Sequence, residues 1–192
     1  GFMARHRARC GLLESSVEDD LSRAVMDQLE ARQDPATGLW GPDRGCPLYQ
    51  AAAGLHCMSC GTYYLPCRPL PRPERIIDSV LALQQADGNF GTGGACLNYD
   101  SVKDLASAAR YTEHRRPEAV AAVGRLADRA LRVYRKPDGG FSFYETHCLE
   151  RHNSIRVADA RPESDVGGTH MYLIVVREHL NLVHALGCAP VF

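Results

Sequence analysis

Three times, about fifty residues apart, a helix-like stretch of this chain runs into the same kind of turn. The first is Gln33-Asp34-Pro35-Ala36-Thr37-Gly38-Leu39-Trp40, the second Gln84-Gln85-Ala86-Asp87-Gly88-Asn89-Phe90, the third Arg135-Lys136-Pro137-Asp138-Gly139-Gly140-Phe141. A fixed period of this length marks a repeat architecture, because one unit cannot bury its apolar face alone and must stack on its neighbours. Each part of the turn has a physical task. Glycine supplies a left-handed or crowded backbone conformation, and the aspartate closes the turn on its own backbone. The aromatic two positions after the glycine folds back on the helix ends, and the glutamine reaches the neighbouring repeat.

Apolar spacing assigns the segments between the turns to helices. Leu21, Val25, Met26 and Leu29 follow Ser15 or Ser16 and the first-turn acids Glu18, Asp19 and Asp20, a helix start. Leu48, Ala51, Ala52, Leu55 and Met58 follow Pro47 in a run almost without charge, which predicts burial. Pro66 to Pro73 reads as an extended linker, after which Ile76, Ile77, Val80 and Leu81 define a helix ending at Asp87-Gly88. Val102, Leu105, Ala106 and Ala109 continue the small, apolar pattern, with Asp100 or Ser101 placed to cap it. Pro117-Glu118 opens a charged helix to Tyr134, and a last helix runs from Thr169 to Leu186 before Gly187. The spacing thus predicts charged helices at 17–33, 73–86 and 117–134 alternating with less charged ones at 47–62, 101–112 and 168–186. The charged set belongs outside and the other inside. Residues 142–165 show no period, apart from strand-like stretches around Phe141 to Tyr144, and a loop that long is usually functional or mobile.

With 45% hydrophobic and 23% charged residues, the 192-residue chain has the composition of one globular domain. Residues 1–14 read as a flexible basic tract and 15–192 as a single repeat domain. The net charge of −1 predicts no nucleic-acid partner. No run approaches the ~20 apolar residues of a membrane span, and Gly1 to Leu13 lacks the apolar segment of a secretory signal, so the expected location is the cytoplasm. The eight cysteines lie inside helix-like and turn-like segments. Cys57 and Cys60, with His56, Cys67 and Cys46 nearby, have spacing compatible with zinc, but a second well-spaced ligand pair is missing, and free buried thiols are the simpler account. His147, Cys148 and His152 in the long loop are a candidate lid site or nucleophile with base, and no metal site or cofactor is assigned.

The turns also carry a resemblance. Gln33 to Trp40 is similar to the Gln-to-Gly-x-Trp portion of the repeat motif of squalene and oxidosqualene cyclases; Gln84 to Phe90 has Phe for Trp, and the third turn keeps Gly139-Gly140-Phe141 without the glutamine. Over roughly residues 15 to 187 the chain resembles the terpenoid cyclase and protein prenyltransferase α/α-toroid superfamily. That resemblance implies an all-α fold, a partial α-α barrel of about six helices alternating between outer and inner rings around a cavity. It leaves room for a homo- or hetero-oligomer that completes the toroid.

Cys96-Leu97-Asn98-Tyr99-Asp100-Ser101-Val102 occupies a place resembling that of the Asp-x-Asp-Asp acid motif of class II terpene cyclases. Asp100 takes the central position, while Asn98 and Ser101 stand where the motif has carboxylates. In prenyltransferase β subunits the comparable place resembles an Asp-x-Cys zinc pair; Asn98 and Asp100 fall there, and His170 is near the place of the completing histidine. The resemblance therefore implies catalytic roles for Asp100, Asn98 and His170, and substrate-binding roles for Tyr99, Asp165 and Tyr172. The expected ligand is an isoprenoid or other apolar small molecule. The competing expectation is a non-catalytic toroid module that binds a protein or peptide, since a chain with 7% aromatic residues offers few rings to stabilise a carbocation.

Overall fold

Amphipathic helices bury their apolar faces against one another, and here they share one core. The computed structural model describes residues 16–41, 45–59, 69–92, 94–152 and 154–187. It contains α1 (Ser16–Ala31), α2 (Leu48–Met58), α3 (Pro73–Leu81), α4 (Ala95–Ala108), α5 (Arg116–Arg129) and α6 (Val166–Gly187). A π-helical turn, Ala130–Tyr134, extends α5, and β1 (Arg151–His152) pairs antiparallel with β2 (Ile155–Arg156) in the long loop. The less charged helices form a row in the order α2, α4, α6, while α3 packs on α4 and α2, and α5 on α6 and α4. Met26 brings α1 into the same apolar core, which includes Leu55, Ile76, Ile77, Val80, Phe90, Val102, Leu105, Val123, Leu126, Tyr134, Tyr172 and Val175. The fold is mostly helical, and no helix among the described residues is long and apolar enough to cross a membrane. The basic tract 1–14, residues 66–68 of the linker, Cys60 and Cys67 lie outside the described residues.

The turns are built as their composition predicts. Asp34 accepts the Ala36 amide at 3.0 Å and the Thr37 hydroxyl at 2.6 Å; Asp87 accepts the Asn89 amide at 2.9 Å and Asp138 the Gly140 amide at 3.2 Å. Gly38, Gly88 and Gly139 have φ of 70°, 94° and 94°. Trp40 donates its indole N–H back to the Leu29 carbonyl at 2.7 Å. Gln33 donates to Gly38 O and to Pro71 O, just before α3, and Gln84 donates to Gly88 O and to Ala122 O in α5. Each glutamine thus ties its own turn to a later segment, Gln33 to the residues just before α3 and Gln84 to α5. Their carbonyls accept Arg72 and Arg125 in turn. Arg135 stands in the third position, and no bond of this kind leaves it among the described residues. Gln84→Ala is expected to cost about 1–2 kcal/mol of stability, measured by urea unfolding, because Ala122 O and Gly88 O lose a donor in a partly dry site.

Several boundaries differ from the sequence reading, α2 ending at Met58 and not at 62 and α3 at Leu81 and not at 86, and one matters. The fourth helix begins at Ala95, not at residue 101, so neither Asp100 nor Ser101 is a cap. Gly94, at φ 84°, makes the break, and the Ala95 amide is taken by Phe143 O at 3.0 Å from the long loop. The strand pair likewise lies at 151–156 and not around Phe141 to Tyr144, although Phe141 makes an isolated bridge to Arg135 as Phe90 does to Gln84. The loop itself is pinned. Asp165 accepts the amides of Phe143, Leu149 and Gly168 at 2.7, 3.0 and 2.7 Å, which ties two loop segments to the start of α6. A Cβ on Gly168 would sit 2.4 Å from Ser142 C and 2.5 Å from Phe143 N, so α6 crosses the third turn backbone to backbone.

Candidate functional site

Helix α4 is enclosed by α2, α3, α5 and α6, and its residues divide by direction. Leu97, Asn98, Ser101, Val102, Asp104 and Leu105 are buried; Cys96, Tyr99, Asp100 and Lys103 remain half-buried or exposed on one stripe. Helix α2 places His56 beside that stripe and α6 places His170 there. The Tyr99 ring stands edge-on to His56 at 4.8 Å, and its centroid is 6.4 Å from His170. His56 Nε2 lies 3.9 Å from Asp100 Oδ1, within ion-pair range and too long for a direct hydrogen bond. Three helices thus contribute to one polar strip, and it contains three of the sequence candidates: Asp100, Tyr99 and His170.

The late start predicted for α4 would have given Asp100 amide donors, and those lower a carboxyl pKa, as they do for Asp87 and Asp138. In the second turn of the helix Asp100 has none. Burial instead pushes its carboxyl up to about 7. Burial, then the charge of Lys103, lowers His56. Both shifts favour neutral forms, so near neutral pH Asp100 exchanges a proton while His56 stands uncharged beside it. The Cys96 thiol is raised by burial and by the nearby Asp100 and Cys57, which leaves it protonated.

One turn beyond Asp100, Asp104 is 1% exposed, and neither of its oxygens has a hydrogen-bond partner among the described residues; the Ser101 hydroxyl is equally unsatisfied. Burial, with the charge of Asp100 added, raises the Asp104 carboxyl well above its ordinary value and keeps it protonated. Lys103, between the two acids, reaches across to Glu178 of α6 at 2.9 Å, and Arg177 and Asn181 complete the shell of Glu178 at 2.8 and 3.2 Å. Burial alone would raise Glu178, but these bonds outweigh it and hold the group down at about 2. Farther along, a groove of about 250 Å³ runs between α4 and α6, walled by Ala106, Ala109, Leu182 and Ala185 with Arg110 and Arg116 at its edge.

The other candidates are committed to packing. Asn98 is fully buried: its Oδ1 accepts the Phe90 amide at 2.8 Å, and its Nδ2 donates to Asn89 at 3.0 Å and to the Tyr172 hydroxyl at 3.1 Å. Tyr134 donates to the same Asn89 oxygen at 2.9 Å and stacks on Tyr172 at 4.4 Å. This network sits behind the polar strip and fixes the second turn against α6. Asp165 spends its oxygens on three amides. Cys148 donates to Asp159 O at 3.0 Å, His147 stacks on Tyr144, and His152 belongs to β1. Cys57 and Cys96 are exposed and free, as is the half-buried Cys46. Among the described residues no three His, Cys, Asp or Glu side chains converge to hold a metal.

Sequence reasoning treated His56 only as a neighbour of cysteines and passed over Asp104 and the Lys103–Glu178 pair. A signal was present: Asp100, Lys103 and Asp104 put three charges into a helix whose apolar spacing demanded burial. Comparison with protein-family models, with curated proteins and with solved structures gives no significant match.

Proposed function

We propose that this protein is an α/α-toroid enzyme of the prenyltransferase and squalene-cyclase kind, in which Asp100 acts as general acid toward an isoprenoid or similarly apolar substrate. The observation that carries the reading is the Asp100 carboxyl itself, half-buried beside His56 and raised to about 7. An acid of that strength matches an oxygen that gains a proton as a bond to carbon breaks, as in an epoxide or an allylic ether, better than an unactivated alkene. In the step, the Asp100 O–H proton passes to the substrate oxygen and the carbon–oxygen bond breaks toward that oxygen. The carboxylate left behind is reprotonated from solvent, with His56 3.9 Å away to pass the proton. Among the described residues of the strip, Tyr99 contributes a phenol ring that can face a developing carbocation.

Asp100→Asn should leave isoprenoid binding, read as a rise in melting temperature, nearly unchanged while turnover of an epoxide or allylic substrate falls about 10²–10⁴-fold. The active form is protonated, so wild-type turnover should decline as pH rises through about 7. No melting shift with any isoprenoid, together with recovery of a bound polypeptide, would favour the second reading, a non-catalytic repeat module for a protein or peptide. The scarcity of aromatic rings in the strip is the observation on its side.

A further inference from the structure

Lys103 stands three residues after Asp100, and residues so spaced are neighbours on a helix surface. The stripe of Cys96, Tyr99, Asp100 and Lys103 therefore puts a cation of the same helix within reach of the carboxyl. An ammonium at contact distance would stabilise the carboxylate and so remove the acid. The structure sends that ammonium elsewhere. It donates to Glu178 Oε1 of α6 at 2.9 Å, while Asp100 has His56 of α2 as its neighbour, Nε2 at 3.9 Å. Among the described residues Lys103 makes no ion pair with Asp100 or Asp104. Glu178 is built to keep hold of it: its side chain is 3% exposed and also accepts from Arg177 and Asn181.

We propose that Glu178 is a positioning residue for the acid, taking the Lys103 ammonium across to α6 so that Asp100 is left with His56 and without a cation. The inference rests on the reading of Asp100 as the acid. No other group about Asp100 takes the place of Lys103. From α2 come His56, uncharged through burial, and the Cys57 thiol; from α6, His170 beside the Tyr99 ring; along α4, Cys96 and Asp104, both protonated. On α3, Asp78 pairs with His114 and Arg115, and on α5, Arg129 pairs with Asp87 and Glu145. No ion pair joins either helix to Asp100 among the described residues. Burial raises Asp100, and the Lys103 charge, which bears on His56 and Asp104, does not offset it.

Carbon-13 NMR titration of the full chain, labelled at the aspartate carboxyls and assigned with Asp100→Asn, follows the acid whether or not the protein turns over. The wild-type midpoint should lie at about 7. In Glu178→Gln the released ammonium should turn to Asp100 and lower that midpoint by about 1 or more. Adding Lys103→Met should restore it, which a loss of packing could not do. The decline of turnover with rising pH should move to lower pH in Glu178→Gln and return in the double variant. Lys103→Met alone should leave the midpoint where it is, and that variant decides the matter if Glu178→Gln does not fold. An unchanged midpoint in folded Glu178→Gln, a lowering that persists in the double variant, or a rise in Lys103→Met would each overturn the assignment. Turnover of Asp100→Asn at the wild-type rate would instead overturn the reading of Asp100 as the acid, and the titration would still decide where Lys103 acts.

Discussion

Glu178→Ala should destabilise the fold by about 3–5 kcal/mol, because it leaves the Lys103 ammonium between α4 and α6 without its counter-charge. Glu178 is 2% exposed and receives bonds from Lys103, Arg177 and Asn181, so the loss is that of a hub and not of a surface pair. The check is urea unfolding of Glu178→Ala, Lys103→Met and Glu178→Leu with Lys103→Met together. The double variant should recover most of the loss, since two apolar groups in that gap need no hydration. Equal and additive losses would mean that the pair contributes nothing beyond packing. Acid should act on the same bond with a known sign. The group is held at about 2 in the folded state, below its ordinary 4.5, so its contribution is present above 4.5 and disappears as pH falls through about 2.

Asp104→Ala should do the reverse and raise stability by about 2 kcal/mol, the typical cost of burying a polar group without a partner, less the small void it leaves. Its pH dependence separates this from a packing effect. Asp104 and Asp100 both have raised folded-state pKa values, so the folded chain holds protons there that the unfolded chain has already released. Stability from these two groups is complete below about 4 and falls as pH rises, through about 7 for Asp100. With Glu178 acting at the opposite end, the wild type should be most stable near pH 4. At about 1.4 kcal/mol per unit, the Asp100 shift from 3.8 alone supplies a few kcal/mol of decline. Thermal melts from pH 4 to pH 8 should therefore show a falling melting temperature, flattened in Asp104→Ala and more so when Asp100→Asn is added. A rising melting temperature over that range would mean that both acids are ionised in the folded state.

The repeat was legible in the sequence because its signals are local. An Asp followed by Gly closes a turn wherever it sits, and a glutamine at a helix end has few other bonds to make. The buried face of each helix followed from apolar spacing, as Ile76, Ile77 and Val80 on α3 and Val123 and Leu126 on α5 illustrate, but charge did not sort the helices by burial, since α6 is exposed along much of its length. The start of α4 was not legible, because the acceptor for its first amide is Phe143 O, nearly fifty residues away in sequence and visible only after folding. That misplacement carried over to the chemistry: a cap would make Asp100 a strong acid, whereas a second-turn position makes it a weak one. Asn98 and Tyr172 show the converse. Their residue types suit a site as well as a core, and only the distances to Phe90, Asn89 and Tyr134 assign them to the core.

The clamp also gives the stack a direction. Gln33 and Gln84 each reach forward from a turn to a later helix, whereas the third turn is held from α6 and the loop before it, its Phe141 amide donating to the Thr169 hydroxyl and its Asp138 accepting the Ser164 amide. In a nearest-neighbour chain of repeats such asymmetry grades the opening free energies. Loss of the first repeat must break a glutamine clamp, while loss of the third must break the bonds of Phe141 and Asp138 to Thr169, Asp165 and Ser164.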